Sequence, residues 1–284
     1  MRKYMKYEIR GNYKFILGII AIIIIASTII QANILKEANK DYINTGDTFT
    51  FMDFLLIVAV FVAFGSLLVA FFRIIGSFKD DLYEDRGYLT FTLPLTGNQI
   101  LGAKLLVAVL WILILTIVMV LYNFLLATIL FDLDWSIFKE VLEYTIGRSN
   151  LGIFMRIVPI HILLGGISLF GTLILIYFSM ALGKVSIRNR KIGGLWFIIF
   201  IIIAALSSYL TTRIGFEIPL YLDLANLRVS NMATPWLYNF TSNDMVEFNS
   251  ILVHVSLTRV LSEIVIYVAA FISTGYLIEK KIDL

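Results

Sequence analysis

The chain has 284 residues, of which 60% are hydrophobic and only 15% charged, with a net charge of +3. Soluble domains are roughly 45–50% apolar and about 25% charged, so a mean hydropathy of +0.90 excludes a water-soluble fold and makes the bilayer the solvent for most of the chain. There is no cysteine, which excludes disulfides, iron–sulfur clusters and thiol chemistry.

Residues 1–14 carry Arg2, Lys3, Lys6, Arg10 and Lys14, while Met1, Tyr4, Met5 and Ile9 follow helical spacing. This pattern predicts a short amphipathic helix in the inner interface, basic side chains toward anionic lipid, interrupted at Gly11-Asn12 before the first span. A basic start followed by an apolar run also resembles a signal peptide. The run is too long for one, and no small-residue cleavage site ends it, so the expectation is an uncleaved first span.

Six continuously apolar runs meet the roughly 20-residue requirement of a spanning helix. They are Phe15–Ile34, Phe51–Phe72, Ile100–Leu130, Ile157–Leu182, Gly194–Leu210 and Leu257–Leu277. The third exceeds a bilayer's thickness and is expected to tilt or protrude. The expected fold class is all-α, one polytopic domain over 1–284, because the runs show no ten-residue alternation of a barrel. Most of the 23 Lys and Arg fall on the side of the N-terminus, which places both termini and residues 73–99 in the cytoplasm.

Between spans two and three the sequence reads "DDLYEDRGYLTFTLPLTGNQ", Asp80 to Gln99. Phe78–Arg86 reads as a short helix stopped by Gly87. Asp80 and Glu84, and Asp81 and Asp85, stand four apart, and such like-charge pairs each destabilise a helix by about 0.2–0.5 kcal/mol. Water and salt could offset this, or a basic partner surface gripped through Phe78, Leu82, Tyr83 and Tyr88. Pro94 blocks helix continuation from upstream. Thr96-Gly97-Asn98-Gln99 fits a capping box, with Thr96 as N-cap, Gln99 as its reciprocal partner, and Leu95 and Ile100 as a hydrophobic staple. The third span is therefore expected to start at Thr96 with a defined entry angle.

The segment from 211 to 256 is rich in Leu, aromatics and Pro. It reads either as short helices dipping into the outer leaflet or as a small extracellular subdomain. Arg259 and Glu263 are four apart and can pair on one face of the last span. His161 reads as a packed or interfacial histidine.

Catalytic motifs are missing. The two histidines, His161 and His254, belong to no zinc-binding pattern, and no nucleophile elbow occurs. "GNQILGAK", Gly97–Lys104, mimics a phosphate loop, but Ala103 separates the second Gly from Lys104 and Leu105 follows where Ser or Thr is needed. The chain thus has no visible means to hydrolyse ATP.

Six spans, the basic N-terminal segment and "DLYEDRGYLTFTLPLTGNQILGAKLL" (Asp81–Leu106) resemble the permease subunits of type-2 ATP-binding-cassette exporters. The topology covers nearly the whole chain, and the most specific part is the loop after span two. The resemblance implies that this loop is a coupling helix seated in a separate ATPase subunit. Its contacts fall on Phe78, Asp80, Asp81, Leu82, Tyr83, Glu84, Asp85, Arg86, Gly87 and Tyr88, with a hinge at Pro94, Thr96 and Gln99. A second, smaller contact falls on Lys184, Arg188 and Arg190 in "GKVSIRNRKIGG". The resemblance further implies re-entrant helices in 211–256 and a second permease copy or paralogue. It implies two ATPase copies holding ATP and Mg, lipid contacts but no nucleic acid, and a bacterial plasma membrane. The cargo it suggests is amphipathic, such as an antimicrobial or toxin peptide; the substrate-lining residues stay unknown. The alternatives are an immunity or assembly protein without transport and an ATPase-independent secondary transporter. The latter would need midplane charges or paired broken helices, which the sequence does not display.

Overall fold

The computed structural model describes residues 2–38, 51–83, 94–130, 136, 139–140, 151–186, 195–224, 227–231 and 254–280. Six long helices carry the chain: α1 Arg2–Ala38, α2 Phe51–Tyr83, α3 Gly97–Leu130, α4 Leu151–Ser186, α5 Leu195–Glu217 and α6 Leu257–Lys280. All six are long and apolar enough to cross a membrane, which gives the protein multi-pass membrane character. At about 1.5 Å per residue, α1 to α4 exceed a hydrocarbon core of about 30 Å by several turns, whereas α5 and α6 just match it.

Two expectations change here. The interruption at Gly11-Asn12 is absent, and α1 is continuous from Arg2 to Ala38. Tyr4, Asn12, Ile16, Ile19, Ile23 and Ala26 are all buried and recur at helical spacing. Asn12 therefore continues the inward stripe instead of breaking the helix, and a separate interfacial helix does not form. The described part of the coupling segment is likewise no independent helix, since Phe78–Tyr83 is the last turn of α2. Ala59, Ser66, Ala70, Ile74, Phe78 and Leu82 form one buried stripe along α2, and it runs without pause past the expected end of the span at Phe72.

The chain divides into two units, one of Met1–Asp80 with Gly102–Leu142 and one of Asp81–Leu101 with Glu143–Leu284. In the first, polar side chains join the helices at two levels. Lys104 on α3 sits 3.0 Å from Glu8 on α1 and donates to the Ser77 carbonyl and hydroxyl on α2 at 3.1 and 3.0 Å. Ser77 Oγ donates in turn to Glu8 Oε2 at 2.9 Å, and the Tyr4 ring lies 6.0 Å from the ammonium. The Lys104 side chain is only 3% exposed, so this closed network replaces the water it has lost. At the other level Gln31 Nε2 donates to the Asn123 carbonyl and Oδ1, both at 3.0 Å. Asn123 Nδ2 reaches Ser27 Oγ at 3.3 Å, and Asn33 Nδ2 donates to the Met52 carbonyl at 2.6 Å.

In the second unit α4, α5 and α6 pack against one another, and small residues set their closeness. A Cβ on Gly171 of α4 would run into the Tyr267 ring of α6. After α5, Pro219 cannot continue a helix, and the chain enters a three-stranded antiparallel sheet of order β2-β1-β3. Its strands are β1 Leu220–Asp223, β2 Arg228–Asn231 and β3 His254–Ser256. Tyr221 is registered against Ser230 and Ser256, and Asp223 against Arg228 and His254. The described part of 211–256 is thus the end of α5 and a small sheet, not re-entrant helices. Alternation in Leu220-Tyr221-Leu222-Asp223 and β-branched Val229 and Val255 favour strands once Pro219 has ended the helix. Thr258 Oγ1 ties the start of α6 back to the Ile218 carbonyl at 2.8 Å.

Removing Lys104 takes from Glu8 the counter-charge that stands 3.0 Å away. Lys104→Met is expected to cost about 3 kcal/mol, read as a lower unfolding temperature in detergent. Adding Glu8→Gln should restore part of that loss; an unchanged Lys104→Met variant would show that the network contributes nothing.

Candidate functional site

The segment singled out by its acids, 84–93, lies outside the described residues, together with Glu84, Asp85, Arg86, Gly87 and Tyr88. Its two flanks are described, and both are bound to helix ends of the second unit. On the upstream side Tyr83 Oη donates to the Met180 carbonyl of α4 at 3.1 Å. The Lys184 ammonium lies 5.3 Å from the Tyr83 ring, within cation–π range. Gly183 leaves the space the phenol occupies, since a Cβ there would come to 3.0 Å of Tyr83 Oη. Burial of the phenol holds its pair of contacts away from competing water.

On the downstream side the capping box is formed in full. Gln99 N donates to Thr96 Oγ1 and Thr96 N to Gln99 Oε1, each at 3.3 Å. The next amide, Gly97 N, donates to Glu279 Oε1 of α6 at 2.6 Å. Three of the amides around the start of α3 are therefore satisfied by side chains, and one acceptor comes from the far end of the chain. A carboxylate there also opposes the positive end of the α3 dipole. The approach is close because both helices lack side chains at the contact. A Cβ on Gly97 would meet the Gly275 carbonyl, and one on Gly275 would run into Asn98.

The residues named for partner contact thus divide. Phe78 and Leu82 are 0% and 1% exposed and Asp81 7%. These three belong to the buried stripe of α2 and offer no free surface, which corrects the expectation that Phe78 and Leu82 form the apolar grip. Asp80 faces Arg73, one heptad back on α2, at 3.8 Å, so its charge has a counter-charge within the chain. Tyr83 is engaged with α4. Of the residues read as a second contact, Lys184 lies in the last turn of α4, not in a loop, and packs on Tyr83; Arg188 and Arg190 lie outside the described residues. Pro94 directly precedes the cap, with Thr96 and Gln99 forming it.

Sequence reasoning missed Glu279, Gly275 and Met180. No local pattern marks a Glu in the last turn of the final helix as a cap for a helix 182 positions earlier. The Gly at 275, inside a strongly helical run, was the one available hint of a close approach.

No protein family, curated protein or solved structure matches the chain. Among the described residues no group of three His, Asp or Glu could hold a metal ion.

Introducing a side chain at the α3–α6 contact is expected to be destabilising. Gly275→Val should lower the unfolding temperature by the equivalent of about 1–3 kcal/mol, the usual range for overpacking. Combining Gly275→Ala with Asn98→Ala should be milder than Gly275→Val alone. Equal stability of Gly275→Val and the native chain in a thermal melt would mean that the two helix ends are not in contact.

Proposed function

We propose that this chain is the membrane-spanning subunit of an ATP-driven exporter, with the segment between α2 and α3 as the point at which a separate ATPase acts. The observation that supports this reading best is the anchoring of both flanks of that segment: Tyr83 to α4 and Gly97 to α6. A push on the segment then reaches four helices at once, the two covalently continuous with it and the two hydrogen-bonded to it. A merely solvated loop has no need of a tether from residue 279.

In this reading both termini are cytoplasmic, and two copies, or this chain and a paralogue, flank one path. The ATPase subunits bind ATP and Mg, and their closure on nucleotide displaces the segment. The capping box makes α3 follow the segment, since the amides of Thr96, Gly97 and Gln99 are all held by side chains. The docking charges are Glu84 and Asp85, the acids of the cluster that lack a described place in the helix stripe. The cargo is an amphipathic molecule, with an antimicrobial or toxin peptide as the first class to screen. The host membrane is a bacterial plasma membrane.

The test is co-purification of tagged chain from its native membrane and a search of the eluate for an ATPase, followed by reconstitution and measurement of hydrolysis stimulated by candidate peptides. Glu84→Lys with Asp85→Lys should abolish stimulation while the permease still inserts and melts normally. Tyr83→Phe, which removes only the hydroxyl bonded to Met180, should lower stimulation several-fold without releasing the ATPase. Full stimulation in the charge-reversed protein would overturn the docking assignment. Purification of the permease with no ATPase under conditions that keep it folded would overturn the exporter reading in favour of a partner-binding protein without transport.

A further inference from the structure

At the sheet end of α4, α5 and α6 lies a cavity of about 700 Å³, within the size range of ligand pockets. All of its lining residues belong to the second unit. Both histidines of the chain converge there: His161 from α4 and His254 from β3. Arg259 and Glu263 of α6 complete the polar side, joined by a 3.0 Å bond from Nε to Oε1. Leu164, Ile167, Phe216 and Val260 supply an apolar wall.

Helix stability does not account for this polar group. Arg259 is the third residue of α6, where the helix dipole disfavours a cation, and Arg preceding Glu at this spacing is the weaker orientation of the pair. Gly165, an exposed residue of α4, borders the cavity, and a Cβ on it would meet no atom within 4 Å, so a larger side chain can be placed at the cavity's edge without displacing a neighbour.

The sign of the ligand follows from which charge is open. The Arg259 side chain is 47% exposed and that of Glu263 22%. The pair uses Nε, and a guanidinium can hold a second oxyanion through its terminal nitrogens at the same time. His161 Nδ1 lies 3.0 Å from the Ile157 carbonyl, which can only accept, so that nitrogen carries the proton; Nε2 of the neutral ring then accepts, as from the P–OH of a phosphate monoester, and the anionic oxygens fall to Arg259. Asp223 stands opposite His254 on β1 and does not itself line the cavity.

We infer that this cavity binds an amphiphile with a phosphate or carboxylate head, the head held by Arg259 beside the two imidazoles and the apolar body lying on Leu164, Ile167, Phe216 and Val260. The inference goes beyond the exporter reading, since it needs neither an ATPase nor a second copy, and it is tested on the purified chain alone. In a neutral maltoside detergent, calorimetric titration with dodecyl phosphate should show saturable binding. Dodecyltrimethylammonium and inorganic phosphate should bind at least tenfold more weakly. Arg259→Gln should weaken dodecyl phosphate about tenfold or more, the scale of a charge-assisted contact. Glu263→Gln, which removes the competing carboxylate, should tighten it several-fold. Gly165→Leu should abolish binding without lowering the unfolding temperature, because the added side chain enters empty space and improves helix propensity. Equal affinity for the cationic amphiphile would overturn the anionic assignment, and equal affinity for inorganic phosphate would overturn the amphiphilic one. Unchanged binding in a folded Gly165→Leu variant, or no binding of dodecyl phosphate at all, would overturn the site.

Discussion

A backbone amide or carbonyl inside hydrocarbon has no water to turn to, and each one left unpaired costs several kcal/mol. Everything else in this protein is arranged around that constraint. Six helices satisfy their own backbones over their apolar lengths, and the strands among the described residues follow Pro219, where α5 has ended. Where a helix begins, the orphan amides are met by side chains, water or ligands. At α3 this is done twice over, by Thr96 and Gln99 from the same turn and by Glu279 from α6. One of these caps ties the start of α3 to the last turn of α6.

Polar side chains within the helices obey the same rule and, as a result, act as joints. Lys104, Glu8 and Ser77 are bonded to one another across α1, α2 and α3, and Gln31, Asn123 and Ser27 between α1 and α3, although Gln31 Oε1 stays buried without a hydrogen-bond partner among the described residues. Apolar contacts in a bilayer carry no hydrophobic preference for protein over lipid, so hydrogen bonds and close small-residue contacts specify which helices meet. Burial of Lys104 would be prohibitive alone and is tolerable because each of its bonds also satisfies a partner.

The two candidate sites lie at opposite ends of the helices of the second unit and differ in kind. At one end the contacts are tight: a phenol on a carbonyl, a carboxylate on a first-turn amide, and glycines where helices touch. Such contacts suit transmission of displacement. At the other end the Arg259–Glu263 pair and both histidines border a cavity with an apolar wall. That arrangement suits holding a molecule.

Much of the architecture was legible in the amino-acid sequence because bilayer burial depends on local composition. The six runs, the capping box at Thr96 and the Arg259–Glu263 pair are all set within a few residues, by hydrophobicity, by a four-residue motif and by helical periodicity. Helix boundaries were less legible. Phe78 and Leu82 looked like a grip for a partner, and Gly11-Asn12 like a break, because a stripe of buried residues becomes visible only when its neighbours are in place. Long-range pairings were not legible at all. That Glu279 caps Gly97, that Tyr83 rests on α4, and that His161 and His254 face one cavity depends on chain segments about 90 to 180 positions apart. No local propensity encodes such a meeting; packing of the helices decides it.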